Sequence, residues 1–167
     1  MEGVELNMEW VSLAKLTKDT LALSAKLPPN VSGVVGVARS GMIPASILAC
    51  LLHKPLWSWE SREGTLCNVG TGPRYVDHQN SCPTGKLLVV DDTVYSGKIM
   101  NRCREGITNA LYASVYVRPE AQGAVDFYGR LLPSPHLLEW NLFNGPPLRG
   151  WTLNPVMQGG CALDFDG

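Results

Sequence analysis

The sequence has little of what marks a membrane, secreted or nucleic-acid-binding protein. Its 14 Lys and Arg nearly balance 15 Asp and Glu, so no overall charge attracts nucleic acid or an anionic lipid surface. No apolar run approaches the roughly 18 residues of a membrane-spanning helix. The acidic start, residues 1–5, lacks the charge pattern of a signal peptide. These absences predict a cytoplasmic protein with small-molecule ligands, no nucleic acid and no membrane.

Metal-binding and disulfide patterns are also missing. The cysteines are odd in number and scattered, with no C-x-x-C pair, at Cys50, Cys67, Cys82, Cys103 and Cys161. A structural zinc site or a disulfide framework is therefore not expected. The histidines have no partners at metal-ligand spacing and are predicted to be structural or solvated: His53, His78 and His136.

The composition that is present predicts one folded α/β domain. Apolar residues make up 45% and charged residues 17% of the 167 positions, which argues against disorder and fits a single domain. Short apolar runs predict strands at residues 33–37, 55–59, 87–90 and 113–117. Helical spacing and stop signals predict helices at residues 9–26, 44–53 and 98–110. This alternation predicts a mainly parallel central sheet flanked by helices, a Rossmann-like core.

Residues 61–84 interrupt this alternation. They contain glycines, prolines, two cysteines and mixed charge, with no clear period. Long irregular segments inside a compact domain are often lids or binding loops. We therefore predict a core over residues 9–118, a mobile lid over residues 61–84, and a hood or tail over residues 119–167.

Residues 87–98 contain the strongest functional pattern. A buried strand ends in Asp91 and Asp92, and a short turn with Ser96 and Gly97 leads into a helix. The free amides of a helix start bind phosphate, while carboxylates suit ribose hydroxyls or Mg²⁺. The pattern thus favours a ribose phosphate held with Mg²⁺. An acidic strand-turn-helix of no ligand-binding role, common in α/β proteins, is the alternative.

Two motifs resemble those of a known family. The run LLVVDDTVYSGK, residues 87–98, resembles the phosphoribosyl-pyrophosphate (PRPP) signature of type I phosphoribosyltransferases. The run GVARSGMIPA, residues 36–45, resembles the pyrophosphate loop of the same family, which often contains a strained or cis non-proline peptide. The resemblance extends over about residues 9–140. It implies the type I phosphoribosyltransferase fold with a small variable hood.

The resemblance implies roles for individual residues. Asp91 and Asp92 would accept the ribose hydroxyls, directly or through Mg²⁺. The 5′-phosphate would be held by Thr93, Val94, Tyr95, Ser96, Gly97 and Lys98, and the pyrophosphate by Ala38, Arg39, Ser40 and Gly41. Arg39 and Arg62 would supply catalytic positive charge, with Arg74 and Lys86 as further cations of the lid. A solvated surface arginine is the alternative for Arg39.

The base would be held by the hood. The run LLEWNLF, residues 137–143, resembles the hood segment of xanthine/guanine members, where an aromatic ring stacks on the base. Trp140 and Phe143 are the candidates, and a core anchor is the alternative for Trp140. Tyr95 departs from the family pattern, because 6-oxopurine enzymes generally have an Asp at that place. Ile99 likewise replaces a frequent Thr.

The resemblance implies Mg²⁺-dependent transfer of phosphoribose from PRPP to a nitrogenous base, with a purine favoured. Because Tyr95 and Ile99 depart from the family pattern, a non-catalytic sensor of PRPP or of a nucleotide stays open as an alternative function. A different nucleotide-binding α/β domain, such as a flavodoxin-like one, is a further alternative. Family members often form homodimers, so a homodimer is possible here. The last residues, Asp164-Phe165-Asp166-Gly167, resemble the opening motif of haloacid-dehalogenase-like phosphatases. Either this run begins a fused phosphatase-like domain, or the resemblance is a coincidence.

Overall fold

The computed structural model describes residues 9–70, 85–132 and 136–141. In chain order the elements are β1 (Glu9–Val11), α1 (Leu13–Ser24), β2 (Gly33–Val37), α2 (Met42–Leu52), β3 (Leu56–Glu60), β4 (Thr65–Gly70), β5 (Leu87–Val94), α3 (Lys98–Gly106), β6 (Ala110–Val117), β7 (Phe127–Leu131) and β8 (His136–Leu138). Two short 3-10 helices cover Pro119–Ala124 and Glu139–Asn141.

Six of the strands form the central sheet, in the order β4-β3-β2-β5-β6-β7. All neighbours pair in parallel except β3 and β4, which are antiparallel. The predicted α/β class with a mainly parallel sheet flanked by helices is confirmed. A separate two-stranded sheet joins β1 to β8 in parallel.

The connections reverse direction between β2 and β5. From β2 the chain passes through α2 to β3 on one side, and from β5 it passes through α3 to β6 on the other. The carboxyl ends of β2 and β5 are therefore adjacent at a topological switch point, where open α/β sheets bind ligands. The fold itself thus brings the two motif loops to one edge of the sheet.

The helices bury the two faces of the sheet separately. Leu16 and Leu23 of α1 pack with Leu48 of α2 over one face, and Met100 and Cys103 of α3 pack over the other. All five side chains are fully buried. A rigid two-sided core of this kind holds the loops at the strand ends in fixed positions.

The first helix begins later than predicted, at Leu13 rather than at residue 9. Residues 9–11 form β1 because they pair with β8, far away in sequence. The helix begins only after Ser12, whose hydroxyl accepts a hydrogen bond from the Lys15 amide at 3.1 Å and caps α1. Leu16 and Leu23 lie on the buried face of α1, whereas Leu13 is exposed.

Part of the predicted lid, residues 61–84, forms regular secondary structure. Thr65–Gly70 forms β4 at the sheet edge, with mostly exposed side chains. An edge strand of this kind lacks the apolar signal on which the sequence analysis relied. Residues 71–84 of the predicted lid lie outside the described residues. Among the described helices, none is long and apolar enough to cross a membrane.

Candidate active site

The acidic pair lies inside β5 rather than beyond its end. β5 continues to Val94 because β6 pairs with it as far as Val117. Asp91 and Asp92 are only 8% and 2% exposed. The Asp92 amide donates a hydrogen bond to Asp91 Oδ1 at 2.9 Å. Two neighbouring carboxyl groups are thus largely removed from water at the switch point.

This arrangement shifts the pKa of Asp91. Burial raises the pKa of its carboxyl group well above the ordinary value of 3.8, and the negative charge of Asp92 raises it further. The ionised form of Asp91 is therefore unfavourable unless a cation or a hydroxyl donor meets it. A buried carboxyl group with a strongly raised pKa is typical of functional sites.

The loop after β2 packs directly on this pair. A β-carbon at Gly41 would lie 2.9 Å from Asp91 Oδ1 and 2.6 Å from the Val37 carbonyl oxygen, so only glycine fits. The peptide bond between Ala38 and Arg39 is cis. Arg39 is exposed and Ser40 is partly exposed. The structure therefore brings the loop predicted to hold pyrophosphate against the predicted ribose carboxylates.

The turn after β5 opens the helix α3. Gly97 adopts φ of 75°, a left-handed conformation that favours glycine, and no described side chain caps the helix start. Ser96 and Lys98 are exposed. The Thr93 hydroxyl is buried and has no hydrogen-bond partner among the described residues. Free amides and an unpaired hydroxyl suit an anion at this position.

Trp140 reaches the acidic pair from the hood. Its indole Nε1 donates a hydrogen bond to Asp92 Oδ2 at 2.6 Å. Its ring stacks on Tyr116 with centroids 6.2 Å apart and planes 22° apart, and it packs on the core while partly buried. Trp140 is therefore anchored to the core and also borders the acidic pair, and its stacking on a base stays a prediction.

Sequence analysis missed a second contact between the hood and β5. The Tyr95 hydroxyl lies 3.0 Å from His136 Nε2, and the two rings stack with centroids 5.5 Å apart. Partial burial and the charge of Asp92 raise the pKa of Tyr95, which the positive charge of Arg118 opposes. No sequence signal joins residues 41 positions apart, because the pairing depends on the short strand β8.

The structure does not bring all the predicted cationic residues close to the acidic pair. Arg62 is exposed in the turn between β3 and β4, with no contact to the acidic pair among the described residues. Lys86 precedes β5 and so lies at the amino end of the strand, opposite the acidic pair. Its predicted place in the lid, next to the site, is wrong. The remaining predicted residues, Arg74, Phe143 and 164–167, lie outside the described residues.

The acidic pair of β5 is the candidate for holding a metal in the described region. No cluster of three or more His, Cys, Asp or Glu side chains suitable for a metal occurs there. Mg²⁺ nevertheless needs only one or two protein carboxylates when substrate phosphates supply its other ligands. Two adjacent buried carboxyl groups, one with a raised pKa, fit a cation that arrives with a phosphorylated ligand.

Comparison with known proteins finds both relatives by sequence and a similar solved structure. The chain is 31% identical over 125 residues to the xanthine-guanine phosphoribosyltransferase of Chromohalobacter salexigens, over 71% of this chain and 73% of that protein. It is 31% identical over 128 residues to the protein of the same name from Gluconobacter oxydans, over 71% and 74%. No family model matches the chain.

The fold also matches a solved structure. The crystal structure of a purine phosphoribosyltransferase from Pyrococcus horikoshii aligns with a TM-score of 0.58 at 20% identity, over 81% of this chain and 94% of that one. This similarity shows the fold, and the two bacterial relatives show the family. The predicted enzyme class is confirmed: the chain belongs to the type I phosphoribosyltransferase family.

Proposed function

We propose that this enzyme transfers the 5-phosphoribosyl group of PRPP to a ring nitrogen of a purine and releases pyrophosphate. The observation that carries the proposal is the 2.6 Å hydrogen bond between Trp140 Nε1 and Asp92 Oδ2. A nucleoside has its base next to its ribose. An aromatic ring from the hood, bonded to a carboxylate suited to ribose hydroxyls, would serve as the base subsite next to the ribose subsite.

The indole leaves hydrogen-bond acceptor capacity on Asp92 for the ribose. A carboxylate offers about four lone-pair positions, and the Trp140 N–H uses one of them. The ribose hydroxyls would use others on Asp92 and on Asp91, whose buried carboxyl group gains most from a new partner. Neither carboxyl group needs to change its place in β5 for this purpose.

The phosphate groups would lie on the two loops. The α3 start, with Gly97 in its left-handed conformation and the unpaired Thr93 hydroxyl, would hold the 5′-phosphate. The loop at residues 38–41 would hold the pyrophosphate, with the exposed Arg39 side chain free to approach its charge. Asp91 and Asp92 would hold Mg²⁺, which when bound would neutralise the charge that builds up on the leaving pyrophosphate.

The transfer breaks the bond between C1′ of ribose and the pyrophosphate oxygen. The bonding electrons leave with pyrophosphate, and C1′ becomes an oxocarbenium-like centre that a base nitrogen attacks. Arg39 and the loop amides would stabilise the leaving group where its charge develops. The two carboxyl groups would hold the ribose in place, and Trp140 would hold the base above C1′.

The purine class is inferred from the relatives, since the two bacterial ones are named xanthine-guanine phosphoribosyltransferases. Stacking on Trp140 tolerates several bases, so nearby polar groups must choose among them. A panel of xanthine, guanine, hypoxanthine, adenine and orotate, assayed for pyrophosphate release from PRPP with Mg²⁺, tests the proposal. We expect release with at least one 6-oxopurine and none with orotate.

Two variants control the assay. Asp92→Asn should abolish release, while Glu105→Gln removes the same charge from an exposed position of α3 and should leave release unchanged. Binding of PRPP without release by any base would favour the sensor alternative. Absence of PRPP binding would contradict the proposal and favour a nucleotide-binding domain of another kind.

A further inference from the structure

The indole of Trp140 is held by two different contacts, one at its edge and one on its face. At the edge, Nε1 donates its hydrogen bond to Asp92. On the face, the ring of Tyr116 stacks at a centroid distance of 6.2 Å, with the two planes 22° apart. A hydrogen bond alone lets a ring rotate about the donor–acceptor axis, and a stacked neighbour removes that freedom. Tyr116 therefore determines the plane in which the indole lies.

Tyr116 is itself fixed from the side of the core. It lies near the end of β6, fully buried, and pairs in register with Thr93 of β5. Its hydroxyl donates a hydrogen bond to Asp19 Oδ2 of α1 at 2.7 Å. Lys15, one turn earlier in α1, approaches the same carboxylate oxygen at 3.3 Å. The phenol ring is thus held at both ends, by the backbone of β6 and by α1.

The Tyr116 hydroxyl keeps its proton for this contact. Burial raises the pKa of Tyr116 well above the ordinary value of 10.0, and the hydrogen bond to Asp19 and the negative charge of Asp19 raise it further. The phenol therefore remains a hydrogen-bond donor, and Asp19 remains its acceptor, across the pH range in which the protein is studied.

We propose that Tyr116, through its hydrogen bond to Asp19, is a positioning residue for the purine, because it sets the plane of the Trp140 ring on which the base stacks. This inference rests on the proposed function, since it needs a base at Trp140. Tyr116 is fully buried and so does not touch the base itself. An indole that already lies in the stacking plane does not have to be ordered when the base binds. The effect should therefore appear in the KM for the purine.

The test measures the KM for the purine and the KM for PRPP separately, in the full chain with Mg²⁺ and the most active purine of the panel. Tyr116→Phe keeps the ring and loses the hydroxyl, and Asp19→Ala removes the acceptor from a partly exposed position of α1. We expect the KM for the purine to rise about threefold to tenfold in each variant. The KM for PRPP should stay within about twofold of wild type. Asp19→Asn keeps an acceptor oxygen and should restore most of the purine affinity.

A double-mutant cycle shows whether Tyr116 acts through Trp140. If it does, Tyr116→Phe should raise the KM for the purine in the wild-type background but not in Trp140→Ala, where there is no indole to orient. An equal rise in both backgrounds would overturn the proposal, because the effect of Tyr116 would then bypass Trp140.

A second phenol serves as the matched control. Tyr128 lies on β7 and its hydroxyl accepts a hydrogen bond from Gln122, so Tyr128→Phe should keep both wild-type KM values. An unchanged purine KM in Tyr116→Phe and Asp19→Ala would overturn the proposal. So would a parallel rise of both KM values, which would show a general loosening of the core. Should Tyr116→Phe not fold, Asp19→Ala and its rescue by Asp19→Asn decide the question.

Failure of this inference and failure of the proposed function give different results. If wild type releases pyrophosphate and the variants keep its purine KM, the positioning role alone is wrong. If wild type releases none with any base of the panel, the proposed transfer is wrong, and with it the purine subsite on which the positioning role depends.

Discussion

Gly41 and Asp91 touch so closely that no side chain fits between them. A β-carbon at position 41 would meet Asp91 Oδ1 at 2.9 Å and two backbone carbonyl oxygens, of Val37 and Val90, at 2.6 and 2.9 Å. The loop after β2 and the acidic pair of β5 are thus one packed unit. A change that lifts the loop removes a packing contact of the Asp91 carboxyl group.

Gly41→Ala should therefore damage PRPP binding. Overpacking of this kind costs about 1–3 kcal/mol, and we expect PRPP affinity to fall roughly tenfold or more, at 1.4 kcal/mol for each factor of ten. Calorimetric titration with PRPP and Mg²⁺ measures the change. Gly123→Ala is the control, since a β-carbon there meets nothing within 4 Å. Equal affinities of the two variants would show that the loop does not position the site.

Substitutions of Trp140 should separate stacking from hydrogen bonding. Trp140→Phe keeps an aromatic ring but loses the N–H that reaches Asp92, so the KM for the purine should change only a few-fold. Trp140→Ala loses the ring as well. Stacking of a base on an aromatic ring is worth about 1–3 kcal/mol, so the KM of Trp140→Ala for the purine should rise roughly fivefold to 150-fold. Steady-state kinetics with varied purine distinguishes the two, and equal KM values would exclude stacking on Trp140.

The raised pKa of Asp91 predicts a pH-dependent stability. The folded protein holds the Asp91 proton to higher pH than the unfolded chain, whose carboxyl group titrates near 3.8. The stability that goes with the protonated form is complete below that value and is lost as pH rises through the folded pKa. The free enzyme therefore contains a destabilising carboxyl group at neutral pH.

Asp91→Asn removes this group and should raise Tm at pH 8 more than at pH 4. Each kcal/mol gained corresponds to roughly 2–4 °C for a chain of this size. Thermal unfolding followed by circular dichroism at the two pH values measures the difference. A Tm gap between variant and wild type that is the same at both pH values would contradict the burial of an ionisable Asp91. The variant should also bind PRPP more weakly, since it loses an acceptor for ribose or Mg²⁺.

The sequence was informative wherever local signals decide structure. The buried run at residues 87–90 marked β5, and the strand-helix alternation was enough to predict a mainly parallel sheet. Motif order placed Gly41 and Asp91 at neighbouring strand ends, and the structure brings the two residues into contact. The roles of these residues toward PRPP stay predictions.

The parts that the sequence did not reveal depend on contacts between distant segments. β1 exists because residues 9–11 pair with residues 136–138, and no local pattern distinguishes such a short strand from a helix start. The same pairing places Trp140 against Asp92 and His136 against Tyr95. β4 was missed because an exposed edge strand has no apolar alternation to read. Lys86 was misplaced because it was grouped with the cations of the lid, although it follows the predicted lid of residues 61–84 and directly precedes β5.

Direct binding of PRPP to the free enzyme tests the central claim, that the acidic pair and the two loops hold this ligand. Isothermal titration with PRPP and Mg²⁺ would compare wild type with Asp92→Asn and with Glu105→Gln, which changes the charge equally at an exposed position of α3. We expect saturable binding by wild type and Glu105→Gln, and at least tenfold weaker binding by Asp92→Asn. Equal binding by all three proteins, or binding by none, would contradict the account.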